Sequence, residues 1–483
     1  MVWSRSGVLA RRVALVLLVV APLVVIAAVP AAAAAPNPTT SFYVRSTDPA
    51  SDDLWFGFGC TQGTTDANRP GTQNRIVILD FGTPMLVGGV YGFDLPGGAS
   101  GEFRSRKDAQ SVAVNYALGY WACTGDDRAS VISLAIGTTN NGTQVRDNGY
   151  TQGRAFANFV RWITRDVAAG GASSQVKVRA AIDVEMSWNT FPDTREWFQG
   201  YDSLSDTPIY DFGDAAGCTQ NGSTTGCNNG WTQERVWWVS EGFPLARPFP
   251  EIYTNSGSQA RQWYQLARYT HIRHSVDMLI YGTLTQFGAC QQVGGCDVLG
   301  TDNTPSQGWT QLYNLLNADP TVRHRPRWSA DISYSTSPAA PAQALDRPLP
   351  ADKAGALVER RAADGAGEAA TAAPAAAPPA GIVQDVNGAL PTSRDELLNA
   401  WQGWVDGRFV AVYAGAEAGD PEQGIVIVVT LKDARGAAFE QALLRTPERS
   451  GAVRVVSADG PLLTLRAASG ATFTLDAAAR RFG

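Results

Sequence analysis

Along residues 54–335 the apolar positions fall into short runs separated by longer polar or amphipathic stretches. Runs of four to eight apolar residues bounded by turn formers read as strands buried on both faces. Residues 54–60 (LWFGFGC), 75–82 (RIVILDFG), 131–137 (VISLAIG) and 176–188 (VKVRAAIDVEMSW) have this form. So do 208–214 (PIYDFGD), 235–240 (RVWWVS), 250–254 (PEIYT), 276–286 and 328–335. Between them lie helix patterns at 105–122, 152–168 and 189–201. The second carries Ala155, Phe156, Phe159, Val160, Ile163 and Val167 on one side. Ser256 with Gln259 predicts a capping box opening a helix to about residue 273, and Thr304, Pro305 and Gln307 predict another. Strands alternating with helices predict an α/β fold with a mostly parallel sheet. Their number favours a (β/α)8-type TIM barrel, irregular in places, over 41–336.

The pattern changes at 337. Residues 337–381 collapse to Ala, Pro and Gly, the composition of a linker. Residues 382–483 then read as a small β-rich accessory domain. Strands are predicted at 409–415, 424–432, 452–457, 462–467 and 471–476, after a helix boxed by Ser393 and Glu396 that carries Leu397, Leu398, Trp401 and Trp404. At the other end, residues 1–35 combine Arg5, Arg11 and Arg12 with an apolar stretch and an Ala-rich tail. That is the form of a Sec-type bacterial signal peptide, so the mature protein is expected to be secreted, with no stable membrane insertion.

Charge and cysteine content narrow the chemistry. The signal segment holds three arginines and no acids, so its removal takes the formal charge from −6 to −9. A chain this acidic, with no basic patch, excludes nucleic acid as a partner. The six cysteines, Cys60, Cys123, Cys218, Cys227, Cys290 and Cys296, read as disulfides in an exported chain. Six allow fifteen connectivities in principle. Local pairing suggests Cys218–Cys227 and Cys290–Cys296, leaving Cys60–Cys123 as the long bridge.

The run 176–188 ends in two carboxylates, Asp183 and Glu185. Residues i and i+2 of a strand share a face at ~3.3 Å rise per residue, which would set these acids roughly 6–7 Å apart. They fall at the C-terminal end of a strand, where α/β barrels carry their chemistry. Other predicted strands also end in polar groups: Asp80, Asp211 with Asp214, Tyr253, Gln286 and Asp331. One such residue is ordinary helix capping or an arginine partner, whereas several converging at one barrel mouth describe a site for a polar, uncharged substrate. Trp188, Tyr210, Trp231, Trp237, Trp238 and Tyr253 interleave with them, either to stack on sugar rings or to fill the barrel–helix interface. His271 and His274, spaced i, i+3 without a third ligand, read as solvent-facing, so no metal is expected. No cofactor motif and no G-x-S-x-G elbow occurs.

ILDFG, AIDVE, PEIYT and LTQ, in that order, resemble the glycoside hydrolase family 25 lysozymes and their secreted relatives over about residues 50–335. The resemblance implies a TIM barrel with Asp80, Asp183 and Glu185 as the acidic catalytic site. Tyr253 and Gln286 would line it, with Trp188, Asp211, Asp214 and Asp331 as further candidates for substrate binding. The chain departs from the family in lacking its Gly-x-Tyr-His type strand and in carrying disulfide loops. The expectation is a glycosidase acting on a cell-wall or extracellular polysaccharide, peptidoglycan included. The alternatives are a carbohydrate- or cell-wall-binding protein without turnover and a surface interaction protein. If Glu185 is the general acid, the strand spacing favours inversion or substrate assistance over a direct carboxylate nucleophile.

Overall fold

A computed structural model describes residues 33–47, 52–87, 89–96, 103–221, 226–296, 300–335, 350, 352–353, 381–383, 396–406, 408–417, 420–431 and 439–483. The segment 1–32 lies outside the described residues and with it most of the expected signal peptide. Most of 337–380 does too, as do parts of the loops at 222–225 and 297–299.

The chain runs from β1 (Thr39–Tyr43) through α1 (Asp52–Ala67) to β2 (Asn74–Asp80). It then forms a small antiparallel sheet of β3 (Thr83–Val87), β4 (Val90–Asp94) and β5 (Phe103–Ser105). Helix α2 (Arg106–Cys123) leads to β6 (Val131–Thr139), α3 (Thr143–Ala169) to β7 (Val176–Asp183), and α4 (Phe191–Asp202) to β8 (Ile209–Asp211). A short α5 (Gln233–Trp237) and a π-helical turn (Trp238–Gly242) precede β9 (Ala246–Pro248). Helix α6 (Ser258–His274) leads to β10 (Gly282–Thr285). Then α7 (Phe287–Gln292) and α8 (Pro305–Ala318) lead to β11 (Trp328–Tyr334). Eight strands (all of these but β3 to β5) pair in parallel in chain order, and β11 returns to β1. The seam between β9 and β10 is the weakest. It is held where Leu284 N donates to Pro250 O (2.9 Å) and Ile252 N to Leu284 O (2.9 Å). The result is a nearly closed, irregular TIM-like barrel.

Strand periodicity sorts the core into two shells. Val77 and Leu79 of β2 face the helices, in the large cluster with Phe159, Trp197 and Leu266. Ile76 and Ile78 point inward with Ala135, Ala181, Tyr210, Phe249 and Trp328. Asp80 and Asp183 continue those inward rows at the ends of β2 and β7. The register brings the ends together: Tyr43 pairs with Asp80, Asp80 with Gly137, and Thr139 with Asp183.

Several elements differ from the sequence reading. Strand β1 lies before the first strand read from the sequence, and the expected strand 54–60 is part of α1. Its glycines are not turn formers but allow close helix packing: a Cβ on Gly59 would lie 2.0 Å from Tyr116 O, and one on Gly119 would lie 2.0 Å from Phe56 O. The Cys60–Cys123 disulfide joins the same two helices. Residues 235–240 are helical as well, with the Thr232 hydroxyl accepting from Arg235 N (3.3 Å). There the packing of half-buried Trp238 against Phe198 and Phe243 overrides the β propensity of the aromatic pair. The box at Ser256 does not form, because the Gln259 side chain accepts from Tyr253 N and Thr254 N instead, and Gly257 in a left-handed conformation opens α6. The box at Thr304 does form. All three expected disulfides are present.

At the C-terminus, β12 (Gly381–Val383), β13 (Glu396–Val405), β14 (Arg408–Glu417), β15 (Asp420–Leu431) and β16 (Phe439–Arg445) make one antiparallel sheet. A second holds β17 (Val453–Asp459), β18 (Leu462–Ala467), β19 (Thr472–Asp476) and β20 (Arg481–Phe482). The expected helix start at Ser393 lies outside the described residues, and from residue 396 on the predicted helix is a strand, in which Trp401 and Val405 face the inter-sheet core and Trp404 faces solvent. Buried Asn399 ties the two sheets by exchanging both hydrogen bonds with the Val455 backbone (2.8 and 2.9 Å). Within the expected linker, Lys353 is buried, and its Nζ donates to Trp121 O (2.5 Å), Thr124 Oγ1 (2.7 Å) and Gln175 Oε1 (3.1 Å). It thus satisfies a carbonyl in the last turn of α2. Among the described residues no helix is long and apolar enough to cross a membrane.

Candidate active site

The C-terminal ends of the barrel strands open into a cleft of about 640 Å³. Six carboxylates line it: Asp80, Asp94, Asp183, Glu185, Asp214 and Glu251. Among the described lining residues there is no lysine, arginine or histidine.

Each acid is placed by an identifiable element. Asp80, 1% exposed, ends β2 and accepts a hydrogen bond from Gly82 N (3.0 Å). Burial pushes its carboxyl up to about 7, and the Gly82 N–H works in the opposite direction. Asp183 is the last residue of β7 and only 4% exposed, and its Oδ1 has no hydrogen-bond partner. Burial raises its pKa well above the carboxylate range, and Glu251, Glu185, Asp80 and Asp214 raise it further. Glu185 stands past the strand end, where Asn140 clamps its backbone: Oδ1 accepts from Glu185 N (3.1 Å) and Nδ2 donates to Glu185 O (3.2 Å). Half-buried beside Asp214, Glu185 is pushed up to about 7.

Because Glu185 lies beyond the last strand residue, the pleat does not set its separation from Asp183. One oxygen from each of Asp183, Glu185 and Glu251 lies within 4.8 Å of the others. Asp214 accepts from Met186 N (3.3 Å), and burial raises its pKa. Glu251 is 4% exposed on the β9–β10 seam; burial raises its pKa well above the usual range, with Glu185 and Asp214 adding to the effect.

The remaining wall is polar and aromatic. Gln286 donates to the Tyr43 hydroxyl (2.7 Å), and Tyr253 and Trp188 face the same space. Burial raises both tyrosine pKa values well above the ordinary value, so both phenols keep their protons. The structure thus brings together Asp80, Asp183, Glu185, Trp188, Asp214, Tyr253 and Gln286. Two other sequence candidates are engaged elsewhere. Asp211 receives Ser240 Oγ (2.6 Å) and Gly213 N (3.2 Å). Asp331 receives Thr285 Oγ1 (2.6 Å), Phe287 N (2.9 Å) and Gly288 N (2.8 Å), holding the start of α7. Of the other aromatics, Tyr210 fills the barrel interior, and Trp231 is buried with its Nε1 on Asn189 O (2.9 Å). Trp237 stacks on His274. His271 and His274 turn to separate acids, Asp277 and Glu234, each at 2.9 Å.

The sequence reading missed Tyr43, Asp94, Gln259 and Glu251. Glu251 had a signal: Glu251 and Tyr253 repeat the i, i+2 spacing of Asp183 and Glu185, so one inward face carries both. Asp94 had none, because it arrives with the β3–β5 insertion. Chemically, the arrangement offers carboxyls raised well above the usual range, Asp183 and Glu251, beside two that titrate near 7, Asp80 and Glu185, a combination suited to general acid–base work. The three clustered oxygens can also chelate a hard cation.

No protein-family model matches the chain, and no curated protein matches it at a significant level.

Proposed function

We propose that this protein is an exported glycoside hydrolase acting on an extracellular or cell-wall polysaccharide, peptidoglycan among the candidates. One observation carries the reading: buried, mutually repelling carboxyls at the barrel mouth, with no cation among the described residues lining the cleft. Acids kept for structure are neutralised by arginine or saturated with donors, as Asp331 is here. Acids at the mouth instead retain protons, which suits a group that must protonate a leaving oxygen.

In this reading Glu185 is the general acid, with its carboxyl poised near 7 and its backbone fixed by Asn140. Asp183 and Asp80 orient the reacting sugar and, when ionised, stabilise the developing oxocarbenium ion. Trp188 supplies a stacking face, and Gln286, Tyr43 and Tyr253 supply hydrogen bonds to hydroxyls. Three disulfides suit an oxidising compartment outside the cell. The acidic site residues are those implied by the resemblance to family 25 lysozymes, with Glu251 added.

The test is reducing-end release from a panel of purified glycans, peptidoglycan included, by the wild type and by Glu185→Gln. The amide keeps the shape but has no proton to give. Turnover should fall by roughly 10²–10⁴ with glycan binding retained. Wild-type turnover in Glu185→Gln overturns the assignment of the acid. Binding without release by the wild type makes the protein a carbohydrate-binding module.

A further inference from the structure

The cleft is charged in one sense only, and its most buried acid has an unmet demand. Asp183 Oδ1 is buried and receives no hydrogen bond, a demand that a ligand donor would satisfy. Three oxygens no more than 4.8 Å apart share a point about 2.8 Å from each, the length of a charge-assisted N–H···O bond. A primary ammonium carries three N–H donors on one nitrogen, one for each oxygen, and its positive charge draws these acids, protonated in the empty cleft, towards their ionised form. The rest of the cleft is built for something larger than an ion, with about 640 Å³ of space, an aromatic face at Trp188 and amide and hydroxyl groups around it. An anionic sugar finds no cation among the described lining residues and meets six carboxylates.

Resting on the glycosidase reading, we propose that the substrate is an amino sugar with a free ammonium, held by Asp183, Glu251 and one oxygen of Glu185. An amine at C2 is one carbon from the anomeric centre. Anchoring it there leaves the second oxygen of Glu185 for the glycosidic oxygen. A neutral N-acetyl group at the same position brings one N–H and no charge, and its bulk meets the three acids. The specificity is therefore for de-N-acetylated stretches of a hexosamine polymer.

Calorimetric titration of the full chain with glucosamine trisaccharide and with its N-acetylated counterpart, at pH 7 and low salt, tests this. The free amine should bind at least tenfold more tightly, and the preference should vanish in Asp183→Asn and in Glu251→Gln. Circular dichroism identifies any variant that fails to fold, and either variant alone suffices. Equal affinity for the two sugars, or preference for the acetylated one, overturns the proposal. So does binding of Mn²⁺ or Ca²⁺ to the same acids with no amine preference, which assigns them to a metal ion. The underlying reading fails separately. An amine preference without any reducing-end release removes the hydrolase and keeps the amine site, whereas release from acetylated glycans alone keeps the hydrolase and removes the amine site.

Discussion

Asp66 and Asp183 are both buried aspartates of one barrel, and their surroundings are opposite. Asp66 lies in α1 near the strand starts, where Gln62 Nε2 (3.0 Å), Arg75 Nε (3.3 Å) and the Tyr120 hydroxyl (3.2 Å) all donate to it. Burial still lifts its carboxyl, and Arg75, Gln62 and Tyr120 each pull it back. Asp183, at the strand ends, has an oxygen with no donor and four acids around it, every one of which lifts it further. Strand β2 alone spans the contrast, with Arg75 near its start and Asp80 at its end. The same residue type is thus neutralised where it holds the fold together and left uncompensated where it faces the cleft. The compensated acid lies near the strand starts and the uncompensated ones at the strand ends.

Three experiments separate the two ends. The largest expected effect is at the stabilising end. Arg75→Met leaves Asp66 buried without its cation and should cost about 3–5 kcal/mol in chemical denaturation. Adding Asp66→Asn should recover part of that loss. A silent Arg75→Met would erase the contrast.

The second effect concerns pH. The Asp80 carboxyl rises from its ordinary 3.8 to about 7, so the folded state holds a proton that the unfolded chain releases. Its favourable contribution is complete below about pH 4 and disappears as pH rises towards 7. The stability of Asp80→Asn relative to wild type should therefore increase over that window, by up to about 4 kcal/mol. A difference that is flat from pH 4 to 7 contradicts the shift.

The smallest effect has the most informative sign. Asp183→Asn is neutral in both states and so avoids the proton uptake that burial and four neighbouring acids impose on Asp183 when the chain folds. It should raise stability at pH 7 by about 1 kcal/mol while lowering glycan turnover. A destabilised Asp183→Asn would place this residue with Asp66 as a structural acid.

The barrel was legible in the sequence because its strands are short apolar runs with a period of two. Those same runs, extended by one inward step, locate Asp80 and Asp183. The failures have a common cause. The glycines of 54–60, the tryptophans of 235–240 and the leucines of 397–398 were read from local propensity, and each is decided by what it packs against. Gly59 lies against the α2 backbone, Trp238 against Phe198, and Leu397 against the outer face of a sheet whose other face buries Trp401. Glu251 was within reach of the spacing rule. Tyr43 was not, because β1 is a polar run (TTSFY) whose burial comes from its neighbours β2 and β11. The roughly 6–7 Å expected for Asp183 and Glu185 assumed a strand running through Glu185, whereas β7 ends two residues earlier, at Asp183.

The claim that the cleft acids are uncompensated is tested most directly by following the Glu185 side-chain carboxyl by ¹³C NMR across pH 3 to 9, in the full chain with selectively labelled glutamate. Glu185→Gln identifies the resonance. The account predicts a midpoint near 7, so that a large share of molecules carry the proton at neutral pH. A midpoint in the ordinary glutamate range, about 4.3, would mean that the charge is compensated in solution and that Glu185 is not the proton donor.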